Sequence, residues 1–281
     1  MNCITKYGKI IYTIKFITRS DREVKMRKKL LALFLGGILT MTLLNGCVES
    51  NKNSEEEILS NFTDFIDMFP SEDLTYLYDK EGSGSLEPND LGTWVVDSYV
   101  NYREDGILKS YGVVIFFNKN LREARGKFLI KNIDTNTNIK KQEYLISYDK
   151  EEIHLLGEVT DKEVLNKFNK FKIMFEYISL DQEYISNLEL DHKYYNAEVP
   201  IYGLTYKLLS DDKNINEIKE IYPEFKVEEV KLEFEGDGYP NSTLGSETIV
   251  ITLDKERNSY ITASYGFQRS EKSIELFKKE E

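Results

Sequence analysis

From residue 94 onward, apolar and polar residues alternate at the period of two that is typical of half-buried β-strands. Trp94, Val96, Val100 and Tyr102 form the first such run, and the Asp105-Gly106 pair that follows it is a typical hairpin turn. Similar patterns predict nine further strands: Ile107–Phe117, Leu121–Ile133, Tyr144–Tyr148, Ile153–Val159, Phe171–Tyr177, Tyr202–Leu208, Val230–Phe234, Ile249–Leu253 and Tyr260–Phe267.

Helical patterns interrupt the strands rather than alternating with them. Ser71 is predicted to cap a short turn that ends near Tyr78, and the stretch between Tyr177 and Pro200 is predicted to be a loop. Because helices do not alternate with strands, we predict an α+β fold, an antiparallel β-meander with a few helices packed on it in a single domain. Longer helices are predicted at three places: after a capping box of Ser54 and Glu57 with the apolar face Ile58–Phe69, after a second box of Thr160 and Glu163, and over Ile215–Ile221.

An uncharged apolar stretch, Leu30–Leu44, precedes this domain and follows the basic cluster Arg27-Lys28-Lys29. The stretch is shorter than the roughly 20 residues that a membrane-spanning helix needs, and it has the length of the apolar region of a secretory signal. Gly46 then places a small residue before Cys47. This order predicts a lipoprotein signal, with cleavage between Gly46 and Cys47 and a diacylglyceryl group on the Cys47 thiol. The alternative is an uncleaved signal anchor with an incidental cysteine.

The signal is complete from Met26 onward, which sets the predicted organisation of the chain. We expect residues 1–25 to be an upstream extension, the alternative being a long basic region of the signal itself. Residues 26–46 are then the signal peptide and 47–53 a lipidated tether. Residues 54–270 form the α+β domain, and 271–281 form a charged tail.

The 281-residue chain has a net charge of −12, and residues 47–281 alone carry 28 basic and 47 acidic side chains. Such acidity argues against binding to nucleic acid and against electrostatic adhesion to an anionic membrane. Attachment to the membrane is therefore expected to come from lipid on Cys47. We interpret the acidity as a source of solubility, with a cationic partner as the alternative. Since Cys3 and Cys47 are the only cysteines, the fold has to depend on its hydrophobic core.

Metal and catalytic motifs are absent from the sequence. His154 and His192 are the only histidines, and no H-E-x-x-H or Cys/His cluster contains them. Asp134–Asn138 matches the start of a calcium loop, but Ile139 and Leu145 stand where that loop needs Gly and Glu, so we predict a polar hairpin turn. We expect no cofactor and no metal. Spacing alone leaves a Ser-His-Asp triad and a pair of catalytic carboxylates open, because both are defined by spatial arrangement.

Four segments and the signal together resemble one known family, the staphylococcal tandem lipoproteins, which are paralogous surface antigens encoded in clusters. The segments are MFPSEDLTYLYDKEG at 68–82, GTWVVDS at 92–98, KSYGVVIFFNKNLREARGKF at 109–128 and YNAEVPIYGLTYKLLSDD at 195–212. The resemblance implies an antiparallel α+β lipoprotein exposed at the cell envelope. It also implies roles in uptake by host cells and in stimulating innate immunity through the lipidated N-terminus. The family supplies no catalytic residue, and Cys47 is the one position carried over, as the lipid attachment site.

The favoured interpretation is a lipid-anchored, non-enzymatic protein on the extracytoplasmic face of the cell membrane. Its expected partners are the membrane, through Cys47, and a host or envelope protein. One alternative is an envelope-anchored hydrolase that uses carboxylates, and the other is a solute-binding lipoprotein. A deep cleft holding two acids with shifted pKa values would favour the first alternative, and a large cleft between two lobes would favour the second.

Overall fold

The computed structural model describes residues 54–71, 73–82, 87–134, 139–149, 152–196, 198–238 and 245–278. The predicted signal peptide, its cleavage site at Gly46 and the lipid site at Cys47 lie outside these ranges. Within them, no helix has the length and apolar character that crossing a membrane requires.

Ten strands form one antiparallel sheet, which confirms the predicted α+β class. The strand order across the sheet is β5-β4-β3-β2-β1-β10-β9-β8-β7-β6, so the first and last strands of the domain pair at its centre. The strands are β1 Thr93–Glu104, β2 Ile107–Asn118, β3 Glu123–Ile133, β4 Ile139–Asp149, β5 Glu152–Leu155, β6 Glu189–Asn196, β7 Ile201–Leu208, β8 Val230–Asp237, β9 Ser246–Thr252 and β10 Ser259–Gln268.

The sheet consists of two five-strand meanders joined side by side. Strands β1–β5 form one meander and β6–β10 the other, and β1 pairs with β10 from Thr93 opposite Gln268 to Tyr102 opposite Ser259. The predicted hairpin turn between β1 and β2 is confirmed, because Asp105 and Gly106 both have positive φ, at 52° and 77°. Two consecutive residues of positive φ suit the right-handed twist of the strands that they join.

Six α-helices are described, and most of them pack on one face of the sheet, called the inner face here. The capping box of the first helix is confirmed, since the Ser54 hydroxyl accepts from the Glu57 amide at 3.1 Å and the Glu57 carboxylate accepts from the Ser54 amide at 2.8 Å. The helices are α1 Glu55–Ser60, α2 Thr63–Ile66, α3 Lys162–Lys170, α4 Met174–Tyr177, α5 Gln182–Ser186 and α6 Lys213–Ile221.

Aromatic side chains join the first two helices to the middle of the sheet. Phe62, just before α2, contacts Tyr202 on β7 and Phe234 on β8, with ring centroids 5.1 and 5.4 Å apart. Phe65 stacks on Tyr265 of β10 at 4.8 Å. Both phenylalanines are fully buried, so this contact belongs to the main hydrophobic core.

The opposite, outer face of the sheet also carries apolar residues near β1, which corrects the prediction of a half-buried first strand. A second cluster contains Val95, Val114, Phe116, Leu129 and Phe277. Phe277 belongs to the segment predicted as a charged tail, where two 3₁₀ turns bring it against the outer face. Strand β1 is therefore buried on both faces, because the end of the chain covers the side that would otherwise meet water.

Two predicted helix caps are wrong by one or two residues. Helix α3 is capped by Asp161 rather than Thr160, and the Asp161 carboxylate accepts from the amides of Glu163 at 2.9 Å and Val164 at 3.4 Å. The short turn ending at Tyr78 is capped by Asp73 rather than Ser71. In both cases an aspartate carboxylate nearer to the helix start accepts the hydrogen bonds from the free backbone amides of the first turn. The prediction had assigned these hydrogen bonds to a hydroxyl group.

Two predictions for residues 171–200 are also wrong. The strand predicted over Phe171–Tyr177 is instead the short helix α4, because Ile173, Met174 and Phe175 are all buried and so do not alternate between two faces. The loop predicted to end at Pro200 contains helix α5 and strand β6. Strand β6 lies at the edge of the sheet and is polar, so it lacks the apolar alternation that identifies a strand in sequence.

Candidate functional site

A cleft of about 380 Å³ lies between helix α3 and one end of strands β2, β3 and β4. Four of its ten lining residues are lysines, although the domain as a whole is strongly acidic, so we call it the lysine cleft. Its residues are Lys109, Ile130, Asn132, Lys140, Lys141, Gln142, Asp161, Glu163, Val164 and Lys167.

Helix α3 forms one wall of the lysine cleft, and its own sequence fixes it there. Val164 is buried, and Phe168 contacts Phe128 of β3 edge to face with centroids 5.3 Å apart. The Asp161 cap completes the first turn. Anchored in this way, the helix places Glu163 and Lys167, one turn apart, on the cleft side, where they form an ion pair.

Three of the four lysines in the lysine cleft each form an ion pair with one carboxylate. Lys109 binds Glu104 across the β1–β2 hairpin, and this hydrogen bond lowers the pKa of the Glu104 carboxyl and raises the pKa of the Lys109 ammonium. Lys141 binds Glu143 on its own strand. Lys140 is exposed and has no ion-pair partner within the described part of the chain. The cleft can therefore accept an additional anionic group without first losing a carboxylate.

Carboxyl groups with raised pKa lie elsewhere, and the first is on the outer face of β1. Burial raises the pKa of Asp97 to about 6, partly offset by a 2.6 Å hydrogen bond from Ser264 and by nearby Lys131. Burial likewise lowers the pKa of Lys131 to about 8, with Asp97 opposing the change. Lys131 also lies 4.3 Å from the centroid of the Tyr99 ring. These groups form a partly desolvated charge pair against an aromatic ring.

The second such group is on the outer face of the other meander. Burial raises the pKa of Glu235 to about 7, while Arg257 opposes the shift and Glu233 adds to it. Arg257 lies 3.5 Å from Glu233 and 3.8 Å from Glu235, and the Thr252 hydroxyl donates to Glu233 at 2.7 Å. Two neighbouring carboxylates on one strand therefore share one guanidinium.

The third raised carboxyl is inside the main core. Glu247 on β9 is only 4% exposed, and burial raises its pKa to about 8. Its Oε2 atom and the hydroxyl of Tyr202 both lack a hydrogen-bond partner among the described residues. Tyr202 and Glu247 flank Gly236, each directly opposite it in the register of the sheet. A neutral, protonated Glu247 is the state that this surrounding favours.

The three raised carboxyls do not converge on a common cavity. Asp97 and Glu235 share the outer face but are separated by β10 and β9, which places them about 14 Å apart at the usual strand spacing. Glu247 projects to the opposite face. The two catalytic carboxyl groups of a glycoside hydrolase lie roughly 5 to 10 Å apart, and those of an aspartic protease lie closer still. The separations of Asp97, Glu235 and Glu247 therefore do not match those of such a pair.

The residues considered for metal chemistry in the sequence are not brought together. His154 lies on the edge strand β5, 4.0 Å from Glu152, and His192 lies on β6 rather than in the predicted loop. The tip of the Asp134–Asn138 turn is outside the described residues, and strands β3 and β4 pair up to its two sides. Among the described residues, no group of three or more His, Cys, Asp or Glu could hold a metal ion.

The lysine cleft was missed in the sequence. Its lysines belong to β2, β4 and α3, so long separations along the chain hide their proximity. One available signal was the consecutive pair Lys140-Lys141 in a chain with an excess of acids. A clustered cationic pair in an acidic protein is a reason to search for a local anion-binding surface.

Comparisons with known proteins assign the chain, with its ten-stranded antiparallel sheet, to a family. The sequence profile of the Csa1 family matches residues 54–270. The chain belongs to the Csa1 family.

Similar proteins cover most of the chain. An uncharacterized lipoprotein of Staphylococcus aureus strain N315 is 30% identical over 258 residues, which is 86% of this chain and 98% of the relative. An uncharacterized lipoprotein of Staphylococcus epidermidis strain RP62A is 30% identical, over 88% of this chain and 98% of its own length. These relatives confirm the resemblance to staphylococcal lipoproteins.

One solved structure that is similar to this chain is the crystal structure of the lipoprotein LppX of Mycobacterium tuberculosis. It matches with a TM-score of 0.27 and 10% identity, over 76% of this chain and 95% of that protein. A similarity at this level carries no inference about the site or the function of the present chain.

Proposed function

We propose that this protein is a lipid-anchored component of the bacterial envelope that acts by binding rather than by catalysis. In this proposal, cleavage between Gly46 and Cys47 leaves a diacylglyceryl group on Cys47, which holds the domain on the extracytoplasmic face of the membrane. The binding partner is a macromolecule of the host or of the envelope. Support for the anchor comes from the signal in the sequence and from relatives that are named lipoproteins.

The observation that supports binding over catalysis is the dispersal of the perturbed carboxyl groups. Asp97, Glu235 and Glu247 occupy three separate surroundings, and none of them lines the lysine cleft. The two acids that do line the cleft already have structural partners, since Asp161 caps α3 and Glu163 binds Lys167. These features favour a surface that holds a ligand over a site that transfers protons to one.

The anchor is tested by comparing the full-length chain with its Cys47→Ala variant in the native bacterium. We expect the membrane fraction of the wild type to contain a protein that begins at a diacylglyceryl-modified Cys47, as measured by mass spectrometry. The Cys47→Ala variant should lack the modification. The matched control is Cys3→Ala, which changes the other cysteine and should leave the mature protein unchanged. An unmodified wild-type protein recovered from the cytosol would contradict the proposal.

The roles in host-cell uptake and innate stimulation are tested with the same two variants. We expect Cys47→Ala to lose stimulation of host receptors, because acyl chains on the N-terminus are the proposed stimulus. A partner bound by the folded domain should still be captured by the Cys47→Ala protein from host or envelope extracts. Loss of both effects together with unchanged folding would mean that the domain has no independent binding role.

A further inference from the structure

One long strand of the sheet is paired along only part of its outer edge. Strand β4 pairs with β3 over nearly its whole length, but with β5 only from Ile146 to Asp149. One further bond joins the Leu156 amide to the Leu145 carbonyl at 2.8 Å, and Gly157 then turns the chain away with a φ of +94°. Within the described residues, no strand pairs with the outer edge of residues 139–144.

The unpaired part of β4 presents a regular row of backbone groups. In an antiparallel strand, the amide and carbonyl of one residue point to the same side, and successive residues alternate between sides. Because the Leu145 carbonyl faces β5, the backbone groups of Glu143 and Lys141 face the same open side. Two donors and two acceptors are therefore available in the geometry that an added strand requires.

The lysine cleft opens onto this edge. Its lining includes Lys140, Lys141 and Gln142, three consecutive residues of β4. Lys140 and Gln142 project to the inner face of β4, which is the outermost described strand at this level, so the cleft lies beside the unpaired edge. Helix α3 forms its other wall through Asp161 and Glu163. A groove between a strand edge and a helix is a geometry that accepts an extended peptide by strand addition.

We propose that an extended segment of a partner protein, alternating acidic and apolar residues, adds to the open edge of β4. Side chains of an added strand would alternate between the two faces of the sheet. On the inner face the nearest cation would be Lys140, with Lys109 and Lys167 farther into the lysine cleft. On the outer face they would meet Ile139 and Leu145, which are 41% and 42% exposed. The proposal rests on the binding role given under Proposed function and specifies its surface.

Charge selects this occupant over a second copy of the same chain. Residues 47–281 carry an excess of 19 acidic over basic side chains, so two copies repel each other. The same lysines that the edge offers attract an acidic segment and speed its association. Lys140, which has no ion-pair partner in the described structure, is the cation that gains most from such a ligand.

The test uses the purified full-length protein and a fluorescein-labelled, end-blocked peptide of alternating glutamate and valine, with binding measured by fluorescence anisotropy. Lys141→Gln removes one charge but keeps the edge amide. Lys141→Pro removes the charge and the amide, at an edge position where proline is tolerated. We expect Lys141→Pro to bind roughly tenfold more weakly than Lys141→Gln, because strand hydrogen bonds are lost. Lys140→Glu should weaken binding, whereas the exposed Lys255→Glu should not.

A second peptide keeps the test valid if Lys141→Pro fails to fold. The same sequence with alternate backbone nitrogens methylated retains its charge but cannot pair as a strand, and we expect it to bind the wild type roughly tenfold more weakly. Equal binding of the two peptides, or no binding of either, would overturn the proposal. A wild-type dimer that Lys141→Pro converts to a monomer would also overturn it, in favour of a second copy. None of these results bears on the lipid at Cys47, which mass spectrometry tests separately.

Discussion

The two meanders share one inner core but differ on their outer faces. Around β1–β3 the outer face carries Val95, Val114 and Leu129, and the end of the chain covers them with Phe277. On β8 the outer face instead carries Glu233 and Glu235, held by the side chain of Arg257. The outer face of the first meander is therefore covered through apolar contacts, whereas ion pairs lie on the outer face of the second.

This difference shows that strand topology alone does not decide what an outer face becomes. Both halves consist of five antiparallel strands in consecutive order. The half that is covered by the last turns of the domain carries an apolar cluster on its outer face. The outer face of the other half combines charged residues with the buried side chains of Val250 and Tyr260. Stability should depend strongly on outer-face side chains in the first half and weakly in the second.

The largest expected effect is in the covered half. Phe277→Ala should lower the free energy of unfolding by about 3 kcal/mol, because it removes a buried ring from the outer-face cluster and leaves a cavity there. Urea unfolding of the full-length protein measures this change. The matched control is Ile274→Ala in the same 3₁₀ turn, since Ile274 is 42% exposed. We expect the control to cost less than about 0.5 kcal/mol, and equal effects would contradict the idea of a cover.

The next effect concerns Glu247 in the core beneath the polar half. The pKa of its carboxyl rises from 4.5 to about 8 on folding. Between these values the folded protein holds a proton that the unfolded chain has released. This contribution to stability is therefore complete below about pH 4.5 and is lost as the pH rises toward about 8. Glu247→Gln keeps the neutral shape and cannot ionise.

We expect Glu247→Gln to be more stable than the wild type by about 2 kcal/mol at pH 8, and the difference to disappear near pH 5. Urea unfolding across this pH range checks the prediction. Glu217→Gln, an exposed position on α6, serves as the control and should show no such dependence. A pH-independent difference for Glu247→Gln would mean that the carboxyl is already ionised in the folded protein.

Local signals in the sequence predicted individual caps and turns but not the cover of the first half. The Ser54–Glu57 capping box and the Asp105-Gly106 turn each depend on residues a few positions apart, and both are present in the structure. The pairing of β1 with β10 joins residues more than 150 positions apart, so no local pattern indicates it. The packing of Phe277 was unpredictable for the same reason. A short charged segment with one phenylalanine does not indicate which distant strands it will contact.

The candidate site was less predictable than the fold for a related reason. Each lysine of the cleft is an ordinary exposed residue in its own segment, and only the packing of α3 beside β4 places Lys140 near Lys167. The open edge of β4 depends on where β5 ends, and the departure at Gly157 gave no separate signal in the sequence. The raised pKa of Glu247 likewise results from burial, and burial is not expected for glutamate because this residue type is usually exposed.

The smallest expected effect is on the outer face of the polar half. Arg257→Gln should cost about 1 kcal/mol or less at pH 9, because the pairs with Glu233 and Glu235 are partly exposed and screened by water. The pKa of Glu235 is about 7, so its carboxyl is mostly neutral below that value and has less need of a cation. The cost should therefore shrink toward pH 6 and also at high salt, as measured by urea unfolding. Lys226→Gln, in an exposed pair with Glu228, is the control and should change little. A cost for Arg257→Gln larger than that of Phe277→Ala would reverse the proposed order, since the charged half would then depend on its outer face more than the apolar half does.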